Sequence, residues 1–227
     1  MDDLERTLLT SYLRYWPNPP LSRPTSTLCL ALRDCRNTTG RDSKGRLTDA
    51  NAEHGMTLLA ALGYLCVLDQ LGTAVKPRNE TTTQRRQLEQ LGKPTSVRRR
   101  FSAPLVWFKN LQASELAALY ALRCSLAHDY SLMNVPKNQP DLTHFFSLED
   151  DQSLVIRLPK KRWDGSQRLP SDTTDFRTIV GLPALGTLVE SVVDAIVDAH
   201  RNDQLKLAIP SEEFRMRYFV WESIMPA

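Results

Sequence analysis

Apolar residues recur at helical spacing in three long stretches of the chain, and these stretches dominate its hydrophobic pattern. Residues 48–70 include the run MTLLAALGYLCVLDQL, which is apolar nearly all round and therefore predicts a buried central helix. Residues 114–132 and 182–200 predict two further long helices, and Ser114 is a candidate N-cap for the first of them. Glycine is scarce, at 9 residues, which favours helices over a β fold punctuated by glycine turns.

The stretches between these helices carry weaker patterns. The run HFFSLEDDQSLVIRL alternates apolar and polar residues on either side of Glu-Asp-Asp-Gln, which predicts a β-hairpin near residues 144–158. Residues 74–100 are polar, basic and poorly periodic, so we interpret them as a long loop. Shorter helices are expected at residues 2–16 and 25–35, and the polar run RNTTGRDSKGR after them predicts another loop.

Together these elements predict a mostly α-helical protein, an up-and-down helical bundle with one small β-hairpin. We expect residues 1–45 to form an N-terminal helical extension and residues 46–205 to form the main helical domain, which contains the basic loop and the hairpin. Residues 206–227 include the aromatic run FRMRYFVWESIM and are expected to pack back on the bundle as a tail. A length of 227 residues fits one domain with such additions.

Positive charge is concentrated in one segment, although the net charge of the chain is only +3. Between residues 74 and 100, eight basic residues stand against two acidic ones, so the rest of the chain is net negative. This segment predicts an arm that contacts nucleic acid, with Phe101 available to stack on a base. The arginines expected to make the contacts are Arg85, Arg86, Arg98, Arg99 and Arg100. A solvated loop without a ligand is the alternative interpretation.

Other residue patterns exclude several classes of protein. The four cysteines include no C-x-x-C pair, so we expect reduced thiols, no metal site and no cofactor. The acidic run MDDLER lacks the apolar region of a secretory signal. The longest uncharged stretch, residues 55–68, is too short to span a bilayer. These patterns predict a cytoplasmic protein that has no membrane partner.

The stretch RCSLAHDY, residues 123–130, holds the most specific chemistry in the chain. The leucines of its helix are expected to form the core face, whereas Ala118 and Ser125 belong to a more polar face. A third face is rich in small residues and carries His128, which predicts a second packing surface that another helix can approach closely. Arg123 and His128 are five positions apart, or about 140° around the axis, so a site shared between two copies fits them better than a site on one helix.

Arginine and histidine together supply what the cleavage of an RNA phosphodiester requires. Histidine transfers protons near neutral pH, and arginine holds a phosphate while it stays charged. The reaction needs no metal. We therefore expect Arg123 to stabilise the phosphate, His128 to act as general acid or base, and Tyr130 to support the site.

The stretch LYALRCSLAHDY resembles the R-x4-H signature of HEPN domains, and Arg123, His128 and Tyr130 match its fuller form, R-x4-H-x-Y. The resemblance implies a HEPN-like fold, found in prokaryotic toxins and defence proteins, over roughly residues 50–200. It also implies a metal-independent endoribonuclease of a toxin–antitoxin or defence system, active as a homodimer through the motif helix. Similarity to the toxin branch implies a nucleotidyltransferase-type antitoxin that modifies Tyr130. Cys124 follows the motif arginine, where active members commonly carry Asn or Asp.

Two further hypotheses stay open from the sequence. Inactive HEPN domains serve as scaffolds, so the chain is alternatively a non-catalytic protein-interaction or RNA-binding module in which Arg123 and His128 are structural. A nucleic-acid-binding regulator that uses the basic segment alone is the third hypothesis.

Overall fold

The computed structural model describes residues 3–17, 25–48, 58–109, 111–166 and 173–220, most of which are helical. The helices of these segments are α1 (Asp3–Leu13), α2 (Thr27–Thr38), α3 (Leu58–Ala74), α4 (Thr82–Gln90), α5 (Val97–Phe108), α6 (Ala113–Asp129), α7 (Leu182–Arg201) and α8 (Ser211–Tyr218). The strands are β1 (Thr25–Ser26), β2 (Val75–Pro77), β3 (Met133–Asn134), β4 (His144–Glu149), β5 (Ile156–Arg157), β6 (Arg177–Gly181), β7 (Leu205–Leu207) and β8 (Phe219–Val220). The predicted mostly α-helical class is therefore confirmed.

Helix α3 lies at the centre of the fold and packs against α2, α5, α6 and α7. Its inward-facing side chains, such as those of Tyr64 and Leu68, are completely buried. Gly72 allows a close approach to α5, because a Cβ at this position would overlap the carbonyl oxygen of Arg100. That carbonyl lacks its helical partner, since Pro104 has no N–H to donate. The first part of the predicted helix, residues 49–57, lies outside the described residues.

Residues 74–100 do not form the predicted long loop, because they fold into β2, α4 and the first turn of α5. Thr81 caps α4: its hydroxyl accepts a hydrogen bond from the N–H of Gln84, whose side chain accepts one from the N–H of Thr81. Ser96 caps α5. Leu88 is the one buried residue of α4, so this helix has no apolar stripe that a sequence pattern could reveal.

The two strands of the predicted hairpin do not pair with each other. Strand β4 pairs with β6 in parallel and β5 pairs with β6 antiparallel, which gives the sheet order β3-β4-β6-β5. Strand β6, from later in the chain, therefore lies between β4 and β5, so these two strands form no hairpin. Gly181 at the end of β6 makes room for the connection from β4 to β5, because a Cβ there would overlap the carbonyl oxygens of Asp151 and Leu154.

Short strand pairs join segments that are distant in the chain, since β1 pairs with β8 and β2 pairs with β7. Tyr12 of α1 and Phe214 of α8 are completely buried with their rings 5.0 Å apart, and Tyr218 packs against both rings. The two ends of the described chain thus share one aromatic cluster. The last part of the predicted tail, residues 221–227, lies outside the described residues.

A buried polar network joins α2, α3 and α7. Arg36 donates two hydrogen bonds to Glu190, of 2.9 and 2.6 Å, and the hydroxyl of Tyr64 donates a third at 2.9 Å. Burial opposes the charge of Arg36, but the hydrogen bonds and charge of Glu190 outweigh it and raise the pKa of this guanidinium. Arg41 donates to the carbonyl of Pro183 at 2.8 Å. The polar run that begins at Arg36 therefore supplies two arginines to the interior.

Candidate nucleic-acid interface

The motif RCSLAHDY occupies the last turns of α6 and the residue that ends this helix. The helix stops at Tyr130, whose backbone is left-handed with φ of 49° and whose N–H donates to the carbonyl of Ser125. This conformation costs a residue with a side chain about 1–2 kcal/mol, a cost that glycine does not have. The side chain of Tyr130 is 56% exposed, so it is accessible and lies outside the core.

Arg123 is held by an acidic side chain on the neighbouring helix. Its Nη2 lies 2.9 Å from Oδ2 of Asp69 on α3, and both side chains are mostly buried. Burial disfavours the charged guanidinium, but the charge of Asp69 outweighs this effect and raises the pKa of Arg123. Its Nε is buried and has no hydrogen-bond partner among the described residues. Asp69 therefore competes with a phosphate for Nη2 of this guanidinium.

His128 lies on the last turn of α6 with an exposed side chain, and the described residues give its ring no hydrogen bond. About 140° around the helix axis separates it from Arg123. Within this sector, Tyr120 and Cys124 are half-buried and Ala127 is exposed. The part of this sector nearer the start of α6 is buried. Arg123 and His128 thus border a surface that is open only on the last turns of α6, and a single copy of the helix does not bring them together.

The other faces of α6 are closed within the chain, which corrects two expectations. Ala118 and Ser125, assigned to a polar face, are buried, and the hydroxyl of Ser125 donates to the carbonyl of Met133 at 3.1 Å. Ala117 and Ala121, from the face of small residues, are buried as well. Helices α3 and α5 and strands β3 and β4 pack around α6. These small residues therefore serve packing inside one chain and are not free to contact a second copy.

Helix α3 carries an open apolar strip beside Arg123. Leu59 is 63% exposed, Cys66 is exposed, and Leu62 and Asp69 are half-buried. These four positions lie within about 80° of one another around the axis of α3, on the side opposite its buried face. The strip meets the open sector of α6 at the pair formed by Arg123 and Asp69. An exposed apolar strip is a candidate contact surface for another protein.

Part of the predicted basic arm surrounds a pocket of about 380 Å³ between α4, α5 and the strand pair of β2 and β7. We call it the basic pocket. Its basic lining residues are Lys76, Arg78, Arg85, Arg99, Arg100 and Lys206. Glu80 is the one acidic side chain among the lining residues that the structure describes. The pocket is therefore strongly positive.

Two of these cations already have acidic neighbours. Arg78 lies 3.4 Å from the carboxylate of Glu5, and Arg85 lies 3.7 Å from that of Glu80. The indole N–H of Trp107 donates to the other oxygen of Glu80 at 2.8 Å. Glu80 thus lies between an aromatic ring and an arginine, as an internal counter-ion of the pocket.

The remaining four cations have no acidic partner among the described residues. In the described segments, no carboxylate lies within ion-pair distance of Lys76, Lys206, Arg99 or Arg100. Arg99 donates to the carbonyl of Gly92 at 3.3 Å, and Arg100 donates to that of Thr95 at 3.1 Å. These contacts orient the guanidinium groups without cancelling their charge. Nε of Arg100 is buried and has no partner among the described residues.

The structure separates the five arginines predicted to contact nucleic acid. Arg85, Arg99 and Arg100 line the basic pocket. Arg98 forms an ion pair with Asp141 at 2.6 Å, and Arg86 is exposed on α4 and does not line the pocket. Consecutive residues of a helix point about 100° apart, so the arginines of α5 cannot all face one site.

Sequence reasoning missed three of the six cations that line the pocket. Lys76 and Arg78 belong to the basic segment, so their charge was visible although their position was not. Lys206 lies on β7, and only the pairing of β7 with β2 brings it to the pocket. Local sequence carries no signal for a pairing over this separation.

Neither a metal site nor a membrane helix is found in the segments that the structure describes. There, no three His, Cys, Asp or Glu side chains are grouped closely enough to hold a metal ion. Nor does any helix of these segments have the length and apolar content to cross a membrane.

Comparison of the chain with protein-family models, with curated proteins and with solved structures finds no match.

Proposed function

We propose that this chain is a HEPN-like RNA-binding protein that holds RNA in the basic pocket. The observation that carries this proposal is the convergence of six cationic side chains on one pocket that contains a single carboxylate. Clusters of Lys and Arg bind nucleic-acid phosphates with a gain from counterion release. Trp107 also lines the pocket and offers an aromatic surface on which a base can stack. The resemblance to HEPN domains favours RNA over DNA as the ligand.

Charge reversal in the pocket tests this function. The affinity of a labelled single-stranded RNA is measured by fluorescence anisotropy over a range of salt concentrations, for the unaltered chain and for Arg99→Glu/Arg100→Glu. Each phosphate contact contributes about −0.7 to the slope of log K against log salt for single strands. We expect the variant to bind at least about tenfold more weakly and to show a shallower slope.

A control with the same change in charge is available away from the pocket. Lys137 and Arg157 are exposed and do not line the pocket, so Lys137→Glu/Arg157→Glu is expected to bind RNA like the unaltered chain. Equal weakening by both double variants would show that only net charge matters and would contradict the assignment to the pocket.

A second candidate function is metal-independent cleavage of RNA by a homodimer. The observation that favours it is the position of Arg123 and His128 at the borders of the open sector of α6, beside the apolar strip of α3. A second copy that packs on this strip can place its own His128 near Arg123 of the first. The dimer would thereby assemble the pair that a single helix keeps apart.

The chemistry of this candidate follows from the two side chains. The imidazole of His128 takes the proton of the ribose 2′-hydroxyl, and that oxygen bonds to phosphorus while the bond from phosphorus to the 5′-oxygen breaks. The leaving oxygen takes a proton from imidazolium or water, which leaves a 2′,3′-cyclic phosphate and a 5′-hydroxyl. Arg123 exchanges Asp69 for the phosphate and neutralises its developing charge.

Cleavage in the presence of EDTA tests the second candidate. We expect His128→Ala and Arg123→Ala to lower the rate by about 10²–10⁴. Arg123→Lys keeps the charge opposite Asp69, so it separates the loss of phosphate binding from a loss of folding. Sedimentation of Leu59→Glu tests the dimer, which we expect this variant to dissociate. Equal cleavage by all variants would exclude the motif as the active site, and no cleavage by a dimeric chain would leave a non-catalytic RNA-binding protein.

A further inference from the structure

One wall of the basic pocket brings two like charges together. In the antiparallel pair of β2 and β7, Lys76 lies directly opposite Lys206. Side chains in this relation have Cβ atoms about 4.5–5.5 Å apart, and like charges there repel each other. Both lysines line the pocket, and neither has a carboxylate within ion-pair distance in the part of the chain that the structure describes. The fold therefore contains an electrostatic repulsion that an anion would relieve.

Helix α5 adds two more positive charges to the same space. Arg99 and Arg100 line the pocket from its first turn, and backbone carbonyls hold both guanidinium groups. The buried Nε of Arg100 is a donor that lacks a partner among the described residues. Such unpaired donors are rare in folded proteins, because leaving them unsatisfied costs free energy. The strand pair and α5 thus line one pocket with four cations that have no acidic partner among the described residues.

We propose that this part of the basic pocket binds a phosphomonoester, namely the terminal phosphate group of an RNA. The inference rests on the RNA-binding function proposed above. A terminal phosphate carries a charge of about −1.5 to −2 near pH 7, whereas an internal phosphodiester carries one negative charge. Lys76 and Lys206 are opposite each other in the strand pair, and Arg99 and Arg100 line the same pocket from α5. The more concentrated charge matches four cations that have no acidic partner.

The size of the pocket also fits the end of a strand better than its middle. A volume of about 380 Å³ lies near the lower end of the range of about 300–1,000 Å³ for small-ligand sites. A volume of this size accommodates about one nucleotide. Trp107, on the lining beside Glu80, is placed to stack on the base of that nucleotide.

The proposal is tested with short RNAs of one sequence that differ only in their ends. The ends are 5′-hydroxyl or 5′-phosphate, and 3′-hydroxyl or 3′-phosphate, and affinity is measured by anisotropy at constant ionic strength. We expect the protein to bind the RNA with one phosphorylated end about tenfold more tightly than the same RNA with a hydroxyl at that end. Hydrogen bonds to a charged group are strong enough to give a difference of this size. Lys76→Met/Lys206→Met should lose this preference, because its affinity for the phosphorylated RNA should fall further than its affinity for the hydroxyl-ended RNA.

Matched variants and a free nucleotide complete the design. Lys137→Met/Lys160→Met removes two exposed lysines outside the pocket and should keep the preference for the phosphorylated end. Lys206→Arg retains a cation and should also keep the preference for the phosphorylated end. In a thermal-melt assay, 5′-AMP should raise the melting temperature of the unaltered chain, adenosine should not, and neither should affect Lys76→Met/Lys206→Met.

The outcomes separate this inference from the function on which it rests. Equal binding of all four RNA ends would overturn the terminal-phosphate site and leave RNA binding intact. If the unaltered chain binds none of the RNAs, both proposals are wrong. A preference that survives in Lys76→Met/Lys206→Met would overturn the assignment to this pocket. Stabilisation by 5′-AMP without any preference among RNA ends would identify a free nucleotide as the ligand and overturn the RNA end.

Discussion

Two places in this molecule bring charged side chains together, and they do so in opposite ways. Between α2 and α7, Arg36 and Glu190 expose only 5% and 6% of their side chains, and they neutralise each other through two hydrogen bonds. Between β2 and β7, Lys76 lies opposite Lys206 on the wall of a solvent-filled pocket, without a carboxylate from the described residues. One arrangement satisfies its charges inside the chain, and the other does not.

This difference separates structural charge from charge that is available to a ligand. A buried ion pair whose hydrogen bonds are complete has no capacity left for a partner, so its loss affects folding. Repelling cations in a concave site destabilise the fold slightly and are neutralised only when an anion binds. By this criterion the pair of Arg123 and Asp69 lies between structural charge and available charge. Its charges neutralise each other, but part of each side chain remains exposed.

The largest effect is expected from breaking the buried pair. Glu190→Gln keeps the shape of the side chain but leaves the charge of Arg36 unpaired, so we expect it to lower the free energy of unfolding by about 3–5 kcal/mol. Urea unfolding measures this. Glu213→Gln is the control, because the pair of Glu213 with Arg217 is exposed and should contribute at most about 1 kcal/mol. Similar losses in the two variants would show that burial gives the Arg36 pair no special weight.

A smaller effect is expected from removing the acidic side chain of the basic pocket. Glu80→Gln keeps an acceptor for the indole N–H of Trp107 but removes the charge that competes with RNA. RNA should bind roughly two- to fivefold more tightly, since a partly exposed charge pair is worth at most about 1 kcal/mol. Anisotropy with Glu89→Gln as control decides this, because Glu89 lies on α4, the helix that begins just after Glu80, but does not line the pocket. Equal tightening by both variants would attribute the effect to net charge.

Removing a charge from the pair of Lys76 and Lys206 should raise the free energy of unfolding, whereas removing one from the pair of Arg36 and Glu190 should lower it. Lys206→Met removes a repulsion, so we expect the free energy of unfolding to rise by a few tenths to about 1 kcal/mol, while RNA affinity falls. Thermal and urea unfolding measure the first effect, and anisotropy measures the second. A loss of stability would show that Lys206 has a favourable partner and would weaken the case for a ligand at this wall.

The smallest effect is expected at an exposed pair. Hydrogen bonds from the side chain and backbone of Arg46 lower the pKa of Asp42 from 3.8 to about 2. A carboxyl whose pKa is lowered by folding stabilises the protein above its unfolded pKa, and this contribution is lost as pH falls through the folded value. Asp42→Asn should therefore melt below the unaltered chain at pH 5, and the difference should vanish as pH falls toward 2. A difference that is constant with pH would show that the charge of Asp42 is not responsible.

Local patterns predicted the long helices, whose backbone hydrogen bonds join residues close together in the chain. Helices α3 and α7 follow from apolar periodicity that the chain carries within one stretch. Helix α4 was missed because it buries only Leu88, and its capping residues gave the better signal. The hairpin was wrong because alternation identifies a strand but not its neighbour, and β6 supplies that neighbour from a distant part of the chain.

The candidate sites show the same limit. Arg123 and His128 were identified by their spacing, but the ion pair that holds Arg123 depends on Asp69 of another helix. Glu190 lies among buried valines on α7. A carboxylate on the apolar face of a helix indicates a buried partner, which here is Arg36. The basic pocket could not be foreseen in full, because β7 brings Lys206 to it by a pairing between distant strands.

The left-handed backbone of Tyr130 has a consequence for protein engineering. A screen for thermostability would favour Tyr130→Gly, because glycine adopts this helix-ending conformation without cost and the exposed ring contributes nothing to the core. Selection for stability alone would therefore erase the third residue of the motif.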